Sequence, residues 1–278
     1  MTTKKLVLTA FSVGIAFSIL LTCIAYLTLK DIKKDIEIQK VADSMVKTAF
    51  KINIDEREYR LNPYKKNEIK RHLKELKKLI SSCEEMCDVK RINFSKLHGS
   101  IDLYEKLFEQ LKFYRETNEK IIEKLRKLER MIQATIFSKP NPERGTVALQ
   151  EIRLQEKAYI LFREKPLFFS ERPHLEKRKI AVRNLRIWAE GDKRINELID
   201  KDSKLFEDIV SNYEQMDKTL ELMRKEVRRI EGLILGIYKA TQHKIDFAYK
   251  KFQILLLTIV VLLILAGIEL VVFYAKNI

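Results

Sequence analysis

The stretch IVSNYEQMDKTLELMRKEVRRIEGLILGIYKAT, residues 209–241, has a regular apolar spacing that decides the fold. Its inward positions recur in alternating steps of four and three: Ile209, Tyr213, Met216, Leu220, Met223, Val227, Ile230, Ile234, Ile237 and Thr241. This spacing is typical of a long helix that packs in a bundle or coiled coil. It predicts one helix that begins near residue 193 and enters a C-terminal apolar segment without a break.

The composition favours the same fold class for the whole chain. Among 278 residues there are only 7 Gly and 5 Pro, which indicates long helices and few turns. The chain lacks the alternating apolar pattern of strands and the Gly-rich phosphate loop of many α/β enzymes. We therefore predict an all-α protein.

The segment between the two ends divides into six predicted helices, at residues 30–61, 64–87, 89–138, 144–165, 173–190 and 193–252. Proline or glycine lies at four of the five boundaries, all except the one at residues 87–89. A rise of about 1.5 Å per residue makes the third and sixth helices roughly 75 and 90 Å long, and the other four roughly 27 to 48 Å. The four shorter helices then stack, two by two, along the long ones. This predicts two four-helix bundles stacked end to end that share the third and sixth helices.

Two apolar segments flank this six-helix soluble domain. Residues 6–29 carry no charge, residues 253–275 carry only Glu269, and each segment exceeds the roughly 20 residues that cross a membrane. We predict two transmembrane helices, because the first segment is too long for a signal peptide and lacks a cleavage site. Glu269 either reaches the headgroups or pairs with another helix.

Two spans place both termini, residues 1–5 and 276–278, on one side of the membrane and residues 30–252 on the other. Lysines flank both spans on the domain side, so charge counting favours a cytoplasmic domain. Long domains, however, cross membranes largely regardless of charge. The residues alone leave the orientation open.

A helix ending occurs twice in the chain. DEREYRLNPY, residues 55–64, is followed one hundred residues later by QEKAYILFRE, residues 155–164. The matching pairs are Ile52 and Ile152, Glu56 and Glu156, Tyr59 and Tyr159, and Leu61 and Leu161. In the stacked arrangement both copies lie near the waist where the bundles meet.

The segments INIDEREYRL and KRHLKELKKL, and IRLQEKAYIL and LEKRKIAVRNL, resemble the helical bimodular sensor domain of bacterial chemoreceptors and sensor histidine kinases. The resemblance covers residues 30–252. It implies a domain outside the cytoplasmic membrane, periplasmic or extracellular, that binds small ligands such as organic acids and forms a homodimer in signal transduction. Relatives continue into a HAMP segment and an output module, whereas here only KNI follows. The resemblance therefore implies a cytoplasmic or membrane signalling partner, or a truncated receptor.

An organic acid would need fixed cations, and arginine suits carboxylates because its planar fork binds both oxygens. The candidate ligand contacts are Arg57, Arg60, Asn118, Arg153, Lys157, Arg183, Arg186 and Trp188. Most of the 54 Lys and Arg are expected on the solvated surface. Trp188 is alternatively an aromatic anchor, and Asn118, in the seam of the third helix, is alternatively a register-fixing residue.

We expect neither an enzyme nor a metal or cofactor site. The histidines His72, His98, His174 and His243 fall on separate predicted helices, and Cys83 and Cys87 have no partner pair at ligand spacing. The formal charge of +15 is spread along helices among 39 acids, so we expect no nucleic-acid partner. The alternative to a sensor is a structural coiled-coil scaffold in the membrane with no small ligand.

Overall fold

A computed structural model describes residues 3–61, 65–86, 94–164 and 172–277. These ranges form six α-helices: α1 Thr3–Leu61, α2 Lys66–Met86, α3 Phe94–Phe137, α4 Pro142–Glu164, α5 Arg172–Trp188 and α6 Lys193–Asn277. The described ranges contain no strand, so the all-α prediction is confirmed.

The predicted helix ends agree with the structure except near two turns. Helix α4 begins at Pro142 rather than at residue 144, because a proline in the first helical turn needs no backbone donor. Helix α5 ends at Trp188 rather than at residue 190, and Gly191 follows with φ of 80°, a left-handed conformation that favours glycine. The predicted ends at Tyr64, Cys87, Val89 and Lys165 lie outside the described residues.

The predicted apolar segments are continuous with α1 and α6, which have 59 and 85 residues. Each helix contains a stretch that is long and apolar enough to cross a membrane, by length and composition. In α6 the aliphatic side chains from Ile254 to Val272 are exposed around most of the helix, with Leu257 68% exposed.

The chain divides into two compact units. Unit 1 comprises Met1–Ala49, Lys74–Leu97 and Glu231–Ile278, and unit 2 comprises Phe50–Leu73 and His98–Ile230. The core of unit 1 includes buried side chains of α1, α2, α3 and α6: Ile38, Met45, Leu76, Ile80, Leu97, Ile234 and Ile237. Both units are thus built from long amphipathic helices.

One hydrophobic cluster of unit 2 draws side chains from four helices. It contains Leu128, Ile132 and Ile136 of α3, Ala148, Leu149 and Ile152 of α4, Ala181 and Leu185 of α5, and Ile195, Leu198 and Ile199 of α6. A second cluster around Tyr159 and Phe206 adjoins the repeated helix ending. The α6 seam of the opening stretch is buried at every predicted position except Met216, which is half-buried.

Candidate ligand-binding site

A cleft in unit 2 forms where side chains of four helices meet. Its polar lining comes from Tyr59 of α1, Arg115 and Asn118 of α3, Arg163 of α4 and Tyr213 of α6. The lining is completed by Leu111, Glu119, Ile122, Met216, Asp217 and Leu220. The cavity volume is about 50 Å³, which has room for a few water molecules or a small anion.

Arg115 is fixed at the end of α1. Its Nη1 donates a hydrogen bond to the carbonyl oxygen of Tyr59 at 2.9 Å, and its guanidinium lies 5.3 Å from the centre of the Tyr59 ring. The carbonyl belongs to the last turn of α1, where no intrahelical donor is available. Arg115 therefore caps the first copy of the repeated motif. It also lines the cleft, where its Nε lies 3.9 Å from Glu119 Oε1.

Arg163 lies at the end of the second copy, on the same helix as Tyr159. Its Nη2 donates to Asp217 Oδ2 at 2.7 Å, and its guanidinium lies 5.6 Å from the centre of the Tyr213 ring. The Arg163 side chain is 14% exposed and that of Asp217 is 54% exposed. The arginine is thus held at the cleft, whereas its carboxylate partner reaches into solvent.

Asn118 supplies a donor without an acceptor. Its side chain is buried, and its Oδ1 accepts a hydrogen bond from Asn212 Nδ2 at 2.9 Å. Its own Nδ2 is buried with no hydrogen-bond partner. A buried donor without a partner is costly, so a ligand oxygen at this position would be stabilised.

Tyr59 remains neutral beside these cations. Burial is the main cause that raises the pKa of Tyr59, and the charge of Arg115 opposes this shift. The two guanidinium groups are therefore the positive charges of the cleft, and Glu119 and Asp217 are its negative charges.

The two copies of the repeated helix ending also make equivalent side-chain contacts at positions where their residues differ. Asp55 Oδ2 lies 2.7 Å from His72 Nδ1, and Gln155 Oε1 lies 2.7 Å from His174 Nδ1. Each repeated tyrosine also packs edge-to-face on a phenylalanine, Tyr59 on Phe108 at 5.3 Å and Tyr159 on Phe206 at 5.5 Å. Two of the four histidines thus occupy equivalent structural positions on α2 and α5.

Both copies of the motif lie within unit 2. Tyr59 lines the cleft directly, and Tyr159 packs against the lining residue Tyr213, with ring centroids 6.1 Å apart. One copy of the repeat therefore contributes a lining residue of the cleft, and the other copy supports a lining residue.

A separate buried network lies on the second copy. Arg178 donates to Glu156 Oε1 at 2.5 Å and to Asp202 Oδ2 at 2.8 Å, and its guanidinium lies 4.2 Å from the centre of the Phe206 ring. Burial raises the pKa of Glu156 well above its usual range and raises the pKa of Asp202 to about 6. The negative charge of Asp202 raises the pKa of Glu156 further, while Arg178 opposes both shifts.

Of the ligand contacts predicted from the sequence, Asn118 lines the cleft. Arg57, Lys157 and Arg183 are exposed and do not line the cleft. Arg186 is also exposed and pairs with Asp200 at 2.5 Å. The side chain of Arg60 lies outside the described part of the structure.

The remaining two candidates make contacts within the protein. Arg153 pairs with Glu129 at 3.1 Å and donates to Gln133 Oε1 at 3.0 Å. Trp188 packs against a four-helix cluster, and its Nε1 donates to the carbonyl oxygen of Asn141 at 3.2 Å. These contacts favour the anchor interpretation of Trp188.

Sequence reasoning missed Arg115 and Arg163, although a signal for each was present. Arg115 lies four residues after Leu111 and three before Asn118, so it continues the α3 seam in steps of four and three. Arg163 follows Tyr159 by four residues and shares its helix face. An arginine at an inward-facing position of each helix was therefore the sequence signal for these two cleft residues.

What the cleft can bind follows from this donor set. Two guanidinium groups and an amide suit a carboxylate, and no group of three His, Cys, Asp or Glu side chains in the described ranges could hold a metal ion. Comparison of the chain with protein-family models, curated proteins and solved structures finds no match. The function is therefore argued from the cleft and the helices that form it.

Proposed function

We propose that this protein is a membrane-anchored sensory protein that binds a small carboxylate in the cleft between Arg115 and Arg163. The observation that carries the proposal is the convergence of these two arginines with the amide nitrogen of Asn118, which has no hydrogen-bond partner. Arginine forks bind carboxylates through two parallel hydrogen bonds. The ligand would take the place of the exposed Asp217 carboxylate at Arg163 and accept from Asn118 Nδ2.

The proposed topology follows the sequence prediction. Residues 6–29 and 253–275 cross the cytoplasmic membrane, and residues 30–252 form two stacked four-helix bundles on its outer side. The protein works as a homodimer and passes its signal to a cytoplasmic or membrane partner. The support is the apolar stretch in each of two long helices, the four-helix cluster of unit 2 and the resemblance of the repeated motif to sensor domains.

Helix α6 is the proposed route of the signal. It supplies Tyr213 to the cleft and continues without interruption into the apolar stretch. At about 1.5 Å per residue, roughly 60 Å of helix separates Tyr213 from Ile254. Ligand contacts that shift α6 by about 1–2 Å along its axis would be transmitted over this length, as in other helix-shift switches.

The alternative is a structural membrane scaffold without a small ligand. It is favoured by one observation: Arg115 and Arg163 each already contact a partner within the protein. In this case the two arginines only hold helix ends together. Ligand binding decides between the two functions.

The test is a thermal-unfolding screen of the full chain in detergent micelles against small mono-, di- and tricarboxylates. We expect at least one acid to raise the melting temperature. The variants Arg115→Lys and Arg163→Lys keep the positive charge but lose the two parallel hydrogen bonds of the guanidinium. Each should lower the affinity for the acid roughly tenfold or more and so reduce the rise in melting temperature. Arg183→Lys is the matched control, because Arg183 is exposed and lies outside the cleft. No response to any acid would favour the scaffold.

The orientation has its own test. The reporter is an enzyme that is active only on the outer side of the membrane, fused at residue 140 between α3 and α4. We expect this fusion to be active. An inactive fusion would reject an external sensor even if a carboxylate binds.

A further inference from the structure

A second cavity lies in unit 1, where α1 and α6 leave their apolar stretches. It is a groove of about 400 Å³ whose charged lining is Asp31, Lys34, Asp35, Lys244 and Lys251. On α1 the lining residues are spaced by three and four, so they share one helix face. The side-chain amide of Gln39 also donates to Gln242 Oε1 and joins α1 to α6 next to the groove.

The lining of this groove carries three lysines against two aspartates, a net charge of +1. Lys34, Lys244 and Lys251 are exposed, and none of them forms an ion pair with another residue of the described ranges. The helix segments 30–35 and 244–251 together hold six lysines against three aspartates, a net charge of +3. The groove therefore offers several ammonium groups to an anion.

The position of the groove along the helices indicates which anion it meets. Thr28 lines it within one turn of the end of the first apolar segment, and Lys251 lies two residues before the second. Exposed aromatic side chains surround this level, with Tyr26 67%, Phe247 66% and Tyr249 55% exposed. Aromatic residues concentrate where the apolar core of a bilayer meets the headgroups.

We propose that this groove binds the phosphate headgroup of an anionic phospholipid. Lys34, Lys244 and Lys251 donate to the phosphate oxygens, and Phe247 packs against the glycerol and upper acyl carbons. The carboxylates of Asp31 and Asp35 accept from headgroup hydroxyls. A lipid bound here contacts both α1 and α6, so it holds together the two helices that enter the membrane. This inference rests on the proposed membrane anchoring but not on the proposed carboxylate ligand.

The test counts lipids bound to the full chain in detergent by native mass spectrometry, during titration with phosphatidylglycerol or phosphatidylcholine. We expect the wild-type protein to bind phosphatidylglycerol preferentially. A variant with Lys34→Gln, Lys244→Gln and Lys251→Gln should lose on the order of 100-fold in affinity, because it removes the charge-assisted hydrogen bonds to the phosphate. Inorganic phosphate at millimolar concentration should not displace the lipid.

The matched control replaces three lysines at the same depth that do not line the groove: Lys30→Gln, Lys33→Gln and Lys250→Gln. It removes the same net charge and should bind phosphatidylglycerol nearly as tightly as the wild type. Equal losses in the two variants, no preference between the lipids, or displacement by inorganic phosphate would each overturn the proposal.

Two further measurements separate this inference from the proposed function. If alkaline carbonate releases the protein from membranes without detergent, the membrane anchoring and the lipid site both fail. If a carboxylate stabilises the groove variant as it does the wild type while phosphatidylglycerol shows no preference, only the lipid site fails.

Discussion

Glu156 and Asp202 share the guanidinium of Arg178, yet each keeps one buried carboxylate oxygen with no hydrogen-bond partner. The shared guanidinium holds both carboxyl groups close to it, with Glu156 Oε1 at 2.5 Å and Asp202 Oδ2 at 2.8 Å from its nitrogens. Two buried acids around one cation are best satisfied when one of them holds a proton, because the protonated carboxyl then donates to the other. The raised pKa values of both groups agree with this arrangement.

This pair predicts a pH dependence of stability. The pKa of each carboxyl is higher in the folded than in the unfolded chain, so folding takes up protons. Their contribution to the free energy of unfolding is present below about pH 4 and falls as the pH rises through about 6, the pKa of Asp202. Glu156→Gln should therefore gain in melting temperature relative to the wild type as the pH is raised over this window.

The matched control for this effect is Glu221→Gln. Glu221 is exposed and pairs with Lys225 at 2.8 Å, and the hydrogen bond from Lys225 is the main cause that lowers its pKa. Because the pKa of Glu221 is lowered in the folded chain, its contribution to stability grows as the pH rises. The melting temperature of this variant should therefore fall slightly relative to that of the wild type as the pH rises. If Glu156→Gln follows Glu221→Gln, the acid pair does not share a proton.

Removing the shared cation should have a large effect. Arg178→Met leaves two buried carboxyl groups without their cation, and such losses typically cost about 3–5 kcal/mol. The loss in melting temperature should be large near neutral pH and smaller below the pKa of Asp202, where protonation removes the unpaired charge. Arg186→Met, which breaks only the exposed pair with Asp200, should cost less than about 1 kcal/mol. Equal losses in the two variants would show that Arg178 does not compensate buried charge.

The close approach of α4 to Trp188 supplies a packing prediction. A Cβ atom at Gly145 would lie 2.8 Å from the Trp188 ring. Glycine-to-alanine changes inside helices usually stabilise by about 0.5–1 kcal/mol, but overpacking of this kind typically costs about 1–3 kcal/mol. Gly145→Ala should thus be destabilised and should alter the fluorescence of Trp188, the only tryptophan of the chain.

Gly99→Ala is the control for this experiment, because no atom lies within 4 Å of its added Cβ. This variant should be as stable as the wild type or more so, with an unchanged emission spectrum. A Gly145→Ala protein with wild-type stability and emission would contradict the packing of Trp188 on α4.

The sequence predicted the helices well because their signals are local. The steps of four and three from Ile209 to Ile237 fix which face of α6 is buried, and Pro140 lies in the turn between α3 and α4. The cleft was harder to predict because its cations come from α3 and α4. Arg115 and Arg163 are two among 54 basic residues, and only the packing of the helices separates them from exposed arginines such as Arg183.

Asn118 allows the ligand and register interpretations to be distinguished. Asn118→Leu removes the buried donor that has no partner and adds apolar volume to the seam. Asn212, which loses its acceptor in this variant, is half-buried and can form a hydrogen bond with water instead. If the amide serves a ligand, the variant should melt at or above the wild-type temperature without ligand and should lose the stabilisation by carboxylates. Asn184→Leu, on the exposed face of α5, should keep that stabilisation. A clear fall in the melting temperature of Asn118→Leu with an intact carboxylate response would instead assign Asn118 to helix register.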